Sequence, residues 1–459
     1  MTTLWVPPGR SGSATSESIS PPRGPTSRPP DALPLPFLTE ADPDKLGEGS
    51  IDPLGLATIA ERLANTIAPD VTARMNRIRF LTAIAVGAVV AGVIDEEVGS
   101  DLRTPPYLAF EWLVVESFAR KSGGDLNGVP GIGKAGRMLT RSWDAHLDAA
   151  SYLQVPKVFG FHGVYKRLSR GLRHIDDGLI LLAEGDELVR VWEREQRLPG
   201  FADCAYRTPG GRLVKSLRGQ VISALTKGRV TTKARHGIWR ALHDTLAPGR
   251  AGRRERKTLW DALTDEQQPV RRELVMGLRQ NSDWETEASA LRALASDASM
   301  DLRTRLVAIE RYERVAGMLT SVFRTMQRAS TGEGLRAIRP ERLRAEESVV
   351  RASKDLPGAM AVAAEALDSL DVGDDLERQL GVFSERHSPA FLVDVVLSHH
   401  EGVQEGKGGK RPWIERSGKG FYVRPPFRTT QGPPSPDEYV HPYRVGAISR
   451  FIEDLKEAH

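Results

Sequence analysis

Between Leu302 and Gln327 the apolar residues Leu306, Ile309, Tyr312, Val315, Leu319 and Phe323 recur at steps of three and four. That is the α-helical period. A stripe of this length predicts one long amphipathic helix that must bury its face against others. A chain with such a helix at its centre is constrained to a layered, mainly helical architecture.

The same spacing recurs on both sides. Ile59, Leu63 and Ile67 predict a helix over about 56–67, entered through the turn Gly49–Gly55, with Asp70 placed to cap a second helix. The apolar run Phe80–Ile94 is interrupted only by Thr82. It is shorter than the roughly 20 residues that span a bilayer, and its Ala and Gly content predicts a core helix packed closely on all sides. Helical pattern continues through Tyr107–Arg120, and from Leu213 to about Leu370, punctuated at Gly332–Gly334 and Pro357–Gly358. Towards the C-terminus an apolar helix at Phe391–Ser398 leads through a Gly/Lys loop at 402–409 to strand-like pieces at Trp413–Ile414 and Phe421–Val423. A short helix, Val445–Leu455, closes the chain. Residues 1–36, rich in Pro, Ser, Gly and Arg, cannot bury enough apolar surface to fold and are expected to form a flexible tail.

The stretch 147–200 reads differently. Val164, Leu168 and Leu172 have helical spacing, whereas Leu179–Leu182 and Leu188–Trp192 flank Glu184–Gly185–Asp186 like two short strands joined by a tight turn. Helix, turn, helix and hairpin in that order predict a winged-helix-like module, whose recognition helix would enter a major groove. That helix carries Lys166, Arg167, Arg170 and Arg173; the wing tip, with Glu184, Asp186 and Glu187, has the wrong sign for phosphate. The expected fold is therefore mainly α. It comprises a helical N-terminal domain (37–146), the winged-helix-like module (147–200), a basic region with a helical bundle (201–385) and a small α+β C-terminal segment (386–459).

Charge then suggests a partner. The net charge is only +4, yet between Arg207 and Lys257 fourteen Lys or Arg stand against two acids, Asp244 and Glu255. A surface so polarised attracts polyanions, because each phosphate it neutralises releases counterions. Lys215, Arg218, Lys227, Arg229, Lys233, Arg235, Arg253, Arg254, Arg256 and Lys257 are the candidate backbone contacts there. Lys407, Lys410 and Arg411 form a lesser group, in a C-terminal block where basic and aromatic residues alternate.

Motifs for catalysis do not reach the same weight. Gly128–Lys134 fits the first seven positions of a phosphate-binding loop, but Ala135 stands where a Mg²⁺-ligating hydroxyl is needed and no buried strand feeds it. It is read as a turn between helices. Asp244 with Glu255-x-Lys257, and Asp394 with Glu405-x-Lys407, imitate a nuclease metal site without the adjoining strands such a site requires. His399–His400–Glu401 lacks the i, i+4 spacing of a helical zinc site and is read as a helix C-terminus favouring cationic His. The single Cys204 excludes an internal disulfide and suits a reducing compartment. No catalytic residue, metal ligand or cofactor is assigned.

Three phrases together carry a resemblance: Asn76–Leu81 (NRIRFL), Val158–Tyr165 (VFGFHGVY) and Val440–Arg444 (VHPYR). They resemble a family of uncharacterised bacterial proteins encoded in phage-defence gene neighbourhoods. The resemblance implies a setting, a multi-subunit system acting on foreign DNA, and no chemistry. The expected function is a non-catalytic, cytoplasmic DNA-binding or scaffold subunit that holds duplex DNA and contacts other proteins such as a helicase or nuclease, with no membrane association. The competing readings are a nuclease or nucleotide-dependent effector with an unrecognised site, and an adaptor docking an acidic protein.

Overall fold

The first helix, α1 (Ala57–Ile67), begins where the carboxylate of Asp52 accepts hydrogen bonds from the N–H groups of Leu56 and Ala57. Those donors have no partner inside the helix, so an acid at this position stabilises its start. Ile59, Leu63 and Ile67 are buried as their spacing predicts. The computed structural model describes residues 52–94, 98–99, 104–121, 125–281, 283–329, 337–435 and 438–456. The expected tail and the punctuation at Gly332–Gly334 lie outside them.

Among the described residues the protein is mainly helical, with seventeen α-helices and one small antiparallel sheet. The apolar run becomes α2 (Phe80–Ala91), of which all but one residue is buried. Around it pack α3 (Pro106–Arg120), α6 (Phe161–Gly171), α7 (Ala183–Glu195) and α8 (Pro209–Lys227). Gly87 is needed there: a Cβ would sit 3.0 Å from the Phe110 ring. Against α3 lie α4 (Ile132–Arg141) and α9 (Ile238–Leu246); the single turn α5 (Pro156–Phe159) precedes α6. No helix among the described residues is long and apolar enough to cross a membrane.

The second half is built on the long helix foreseen from the stripe, α13 (Met300–Ala329), whose six stripe residues are all buried. It packs most extensively on α14 (Glu347–Asp368), and also on α1, α12 (Glu287–Asp297) and α16 (Pro389–Gly406). Next to α13 and α14 respectively come α11 (Pro269–Gln280) and α15 (Gly373–Leu380). The strand-like pieces expected at 413–414 and 421–423 become β1 (Ile414–Ser417) and β2 (Gly420–Val423), which pair antiparallel with Ile414 opposite Val423. The closing helix α17 (Val445–Leu455) returns to pack on α10 (Arg253–Leu263) and α11, and Arg77 pairs with Asp454 at 2.7 Å. One contiguous set of buried apolar residues runs from Leu54 to Leu455.

Four expectations are corrected. The pair of strands over Leu179–Trp192 is absent, and residues 183–195 form α7 instead. Leu188 and Trp192 are one helical turn apart and both buried, so the short apolar run satisfied either period. Glu184 and Asp186, out of place on a wing, lie in the first turn of α7, where the helix dipole favours acids. Gly185 is required for packing rather than turning: a Cβ would lie 2.1 Å from the His174 carbonyl oxygen. The hairpin expected over 179–192 is therefore not formed; between α6 and α7 Ile175 and Leu181 meet in a single antiparallel bridge.

Asp70 caps no helix. It adopts φ 64° and accepts a hydrogen bond from Arg167. Pro357 lies inside α14 rather than ending it. A proline there removes one backbone hydrogen bond, but the stripe Val349, Ala352, Leu356, Met360, Ala363 and Leu367 stays buried on both sides of it. Packing outweighs the local penalty. The Gly/Lys loop is shorter than expected, because α16 runs on to Gly406.

Candidate nucleic-acid interface

The basic segment 207–257 covers α8, the loop 228–237, α9, and the start of α10. On α8 the apolar side (Val214, Leu217, Val221, Ala224, Leu225) is buried, which turns Arg212, Lys215 and Lys227 outwards. Gly228 ends the helix in the left-handed conformation, φ 66°. The chain then lies along another segment: the Val230 N–H donates to the Leu147 carbonyl at 2.9 Å, and the backbones of Arg229 and Asp148 meet in an antiparallel bridge.

Lys227, Arg229, Lys233 and Arg235 are exposed, and none has a carboxylate partner among the described residues. The same holds for Arg137 and Arg141 on α4, whose last residues lead into the segment that pairs with Val230. Cations left without local acids keep their field for an external anion.

A buried ion pair fixes this surface from beneath. Arg120 at the end of α3 pairs with Glu116 at 2.7 Å, and both side chains are inaccessible. Its guanidinium donates to the carbonyls of Trp143 (2.7 Å) and Ala145 (2.6 Å), while Glu116 accepts from the Leu147 N–H (2.9 Å) and contacts His146 (2.8 Å). The same guanidinium lies 5.1 Å from the Trp239 ring, and the Trp239 indole N–H donates to the Lys233 carbonyl at 2.9 Å. Segment 143–147 and the basic loop therefore hang from one pair.

The other expected site residues are more committed. Arg253 and Arg254 are exposed at the N-terminus of α10, where Glu195 accepts from the N–H groups of Arg254 and Glu255; Arg256 is half-buried and Lys257 pairs with Asp261 at 2.7 Å. Lys215 and Arg207 approach the exposed Tyr206 ring at 5.6 and 5.7 Å. Arg218 donates to the Val89 carbonyl at 2.8 Å and contacts Cys204 Sγ at 3.1 Å.

On the helix expected to read a groove, Arg167 pairs with Asp70 (2.8 Å), Arg170 with Asp177, and Arg173 with Glu184 (2.9 Å), while Lys166 reaches the Asp177 carbonyl (3.4 Å). Near the C-terminus Lys407 reaches back to Asp52 at 3.6 Å, Arg411 pairs with Glu415 at 2.7 Å, and Lys410 is exposed.

The motifs weighed for catalysis have structural employment. Glu255 is on a helix, wholly buried, and held by Arg79 at 2.9 Å and by the Thr82 hydroxyl at 2.8 Å. Asp244 pairs with Arg240 at 3.3 Å, which with His243 holds its carboxyl below the usual range, the His243 hydrogen bond being the larger effect. Asp394 pairs with Arg416 at 3.4 Å, and Glu405 is exposed on α16; neither pair of acids lies on strands.

The loop 128–134 is preceded in the chain by α3 and runs into α4, with no strand among the described residues next to it. Two of its three glycines are explained by neighbours: at Gly131, φ 78°, a Cβ would meet the Tyr152 ring at 2.3 Å, and at Gly128, φ 77°, it would meet Asn76 at 2.5 Å.

His399 and His400 are not at a helix end. They lie within α16 and contact the carbonyls of Leu54 (2.8 Å) and Pro53 (2.7 Å), while His400 also accepts from the Trp413 N–H (2.9 Å). Desolvation lowers both pKa values, that of His400 to about 4, so burial keeps them neutral where the helix-end reading expected cations. No cluster of potential metal ligands occurs among the described residues.

The three familiar phrases also lock the fold. The Tyr165 hydroxyl accepts from the N–H groups of Asn76 and Arg77, both at 2.7 Å. Buried Glu111 accepts from the Tyr152 hydroxyl (2.7 Å) and the His162 N–H (3.0 Å), and Gly160 makes room for it. Buried Glu313 accepts from the Tyr443 hydroxyl and contacts His441, both at 2.7 Å. A cavity of about 700 Å³ beside α13 and α14 is lined by five arginines and six carboxylates, a balance that favours no anion.

No family model, curated protein or solved structure matches the chain.

Sequence reasoning missed Arg137, Arg141 and Trp143. The only available signal was two cations four residues apart just before a tryptophan in a polar stretch, which by itself also fits an ordinary solvated helix face.

Proposed function

We propose that this protein is a non-catalytic nucleic-acid-binding or scaffold subunit that holds the DNA backbone through the surface around loop 228–237. The observation that carries this reading is the group Lys227, Arg229, Lys233 and Arg235: four exposed cations without carboxylate partners among the described residues, at the end of α8 and on the loop after it, which is pinned to its neighbour. Exposed cations paired with acids gain little from a phosphate they must share, whereas these four are available. The resemblance to a defence-associated family supplies the setting, a multi-protein bacterial system acting on foreign DNA.

The test is binding of the purified protein to duplex DNA across a salt series. Affinity should fall steeply as salt rises, and charge reversal at the four positions should lower both the affinity and the salt slope. A wild-type affinity indifferent to salt would end the proposal.

A second reading, a scaffold that also docks protein, rests on Val155, Val158 and Phe159, which stand exposed together at α5. Val158→Glu with Phe159→Glu should then abolish association with a partner subunit, such as a helicase or nuclease, while leaving DNA affinity unchanged.

A further inference from the structure

Trp143 is the exposed aromatic beside the basic loop: 54% of it is accessible, while its backbone is held from below by a buried ion pair. A large aromatic ring left half open on a held backbone offers a flat apolar face to a ligand. The Arg120 guanidinium lies 5.6 Å from the Trp143 ring and 5.1 Å from that of Trp239, which holds the Lys233 carbonyl. The ring therefore belongs to the same rigid assembly as the basic loop.

The charge around it selects the occupant. Arg137 and Arg141 precede it on α4, and Arg229, Lys233 and Arg235 come from the loop joined to Leu147 and Asp148. Exposed Asp144 is the adjacent acid, and Asp148 is occupied by Ser151 at 2.6 Å. An apolar protein surface would gain nothing from these cations. A strand with unpaired bases uses both features at once, its phosphates on the cations and a base on the indole face. In a duplex the bases already stack on one another and offer no free face.

Resting on the reading that this surface takes nucleic acid, we propose that Trp143 is a stacking platform for an unpaired base, so that the patch prefers single-stranded or locally opened DNA to duplex. Stacking on an aromatic side chain contributes about 1–3 kcal/mol per base, or roughly a 5- to 150-fold change in affinity.

The experiment compares wild type, Trp143→Ala and Trp143→Phe, as full chains, for binding to an oligothymidylate strand and to a duplex of equal length at one salt concentration. Trp143→Ala should lose on the order of 5- to 150-fold for the single strand and little for the duplex, and Trp143→Phe should retain most of the single-strand affinity. The salt slope should be the same in all three, because no cation has changed. Thermal unfolding checks that the exposed substitution leaves the fold intact.

Equal losses on both nucleic acids, or none, in a protein that still binds DNA with normal salt dependence would overturn the stacking role alone. No salt-dependent binding of either nucleic acid by wild type would overturn the parent reading and this one with it. Competition by polyglutamate as effective as by oligothymidylate would mark the patch as a protein-docking surface and also overturn it.

Discussion

Arg79, at the entrance to α2, meets Glu255 of α10 in a buried two-pronged ion pair, Nε to one carboxylate oxygen and an Nη to the other, each at 2.9 Å. The residues are 176 positions apart, and Arg79 also donates to the Ala247 and Thr245 carbonyls. The pair ties the helix at the centre of the first half to the edge of the basic segment. Removing one partner strands the other charge without water. Glu255→Ala or Arg79→Ala should therefore cost about 3–5 kcal/mol, and replacing both by apolar residues of similar volume should cost much less. Urea denaturation of the three variants checks this. Equal losses in single and double variants would show that the cost is not a stranded charge. Any activity lost in Glu255→Ala should accordingly be interpreted with its unfolding curve.

Two of the three glycines of the apparent phosphate loop, Gly131 and Gly133, should respond oppositely to alanine. Gly131→Ala forces a side chain into a left-handed residue and against Tyr152, so destabilisation of about 1–3 kcal/mol is expected. Gly133 lies within α4, where a Cβ meets only the far end of Arg137 at 3.8 Å. Alanine there should stabilise by about 0.5–1 kcal/mol. If both substitutions were neutral in denaturation, the packing explanation of the loop would be wrong.

Acid should destabilise the protein through two buried histidines. Desolvation lowers His174 and His400 from 6.5 to about 4. As pH falls, the unfolded chain takes up these protons first, so stability rises with pH between about 4 and 6.5 and is lost towards the lower end. Over that interval each group accounts for a total loss on the order of 3 kcal/mol. The denaturation midpoint measured from pH 7 to 4 should fall less steeply in His174→Leu. An unchanged slope would remove His174 from this account.

Arg167 and Arg170 each have an acidic partner at the surface, Asp70 and Asp177. Changing both to alanine should alter DNA affinity far less than changing Lys233 and Arg235, and should cost no more than about 1 kcal/mol of stability per pair. Fluorescence anisotropy with a duplex at low salt distinguishes the two double variants. A larger loss from the α6 variants would move the interface to that helix.

The sequence by itself determined the elements whose pattern admits a single period. The stripe of α13, the all-round apolar α2 and the closing helix are where their residues place them. Such stripes can be buried in only one conformation, so local pattern and tertiary packing agree. The clustering of basic residues at 207–257 was equally legible, because charge needs no fold to be counted.

Tertiary structure decided the rest. Leu188–Trp192 was short enough to fit a strand or a helix, and the core beneath α7 chose the helix. Which cations remain available depended on where acids distant in sequence came to lie: Asp70 occupies Arg167 across 97 positions, while among the described residues no acid reaches Lys233. The backbone of Trp143 is tied to the support of the basic loop through Arg120, at the end of another helix, which also contacts Trp239. Period and composition act along the chain, whereas pairing and exposure are set by contacts between segments far apart in it.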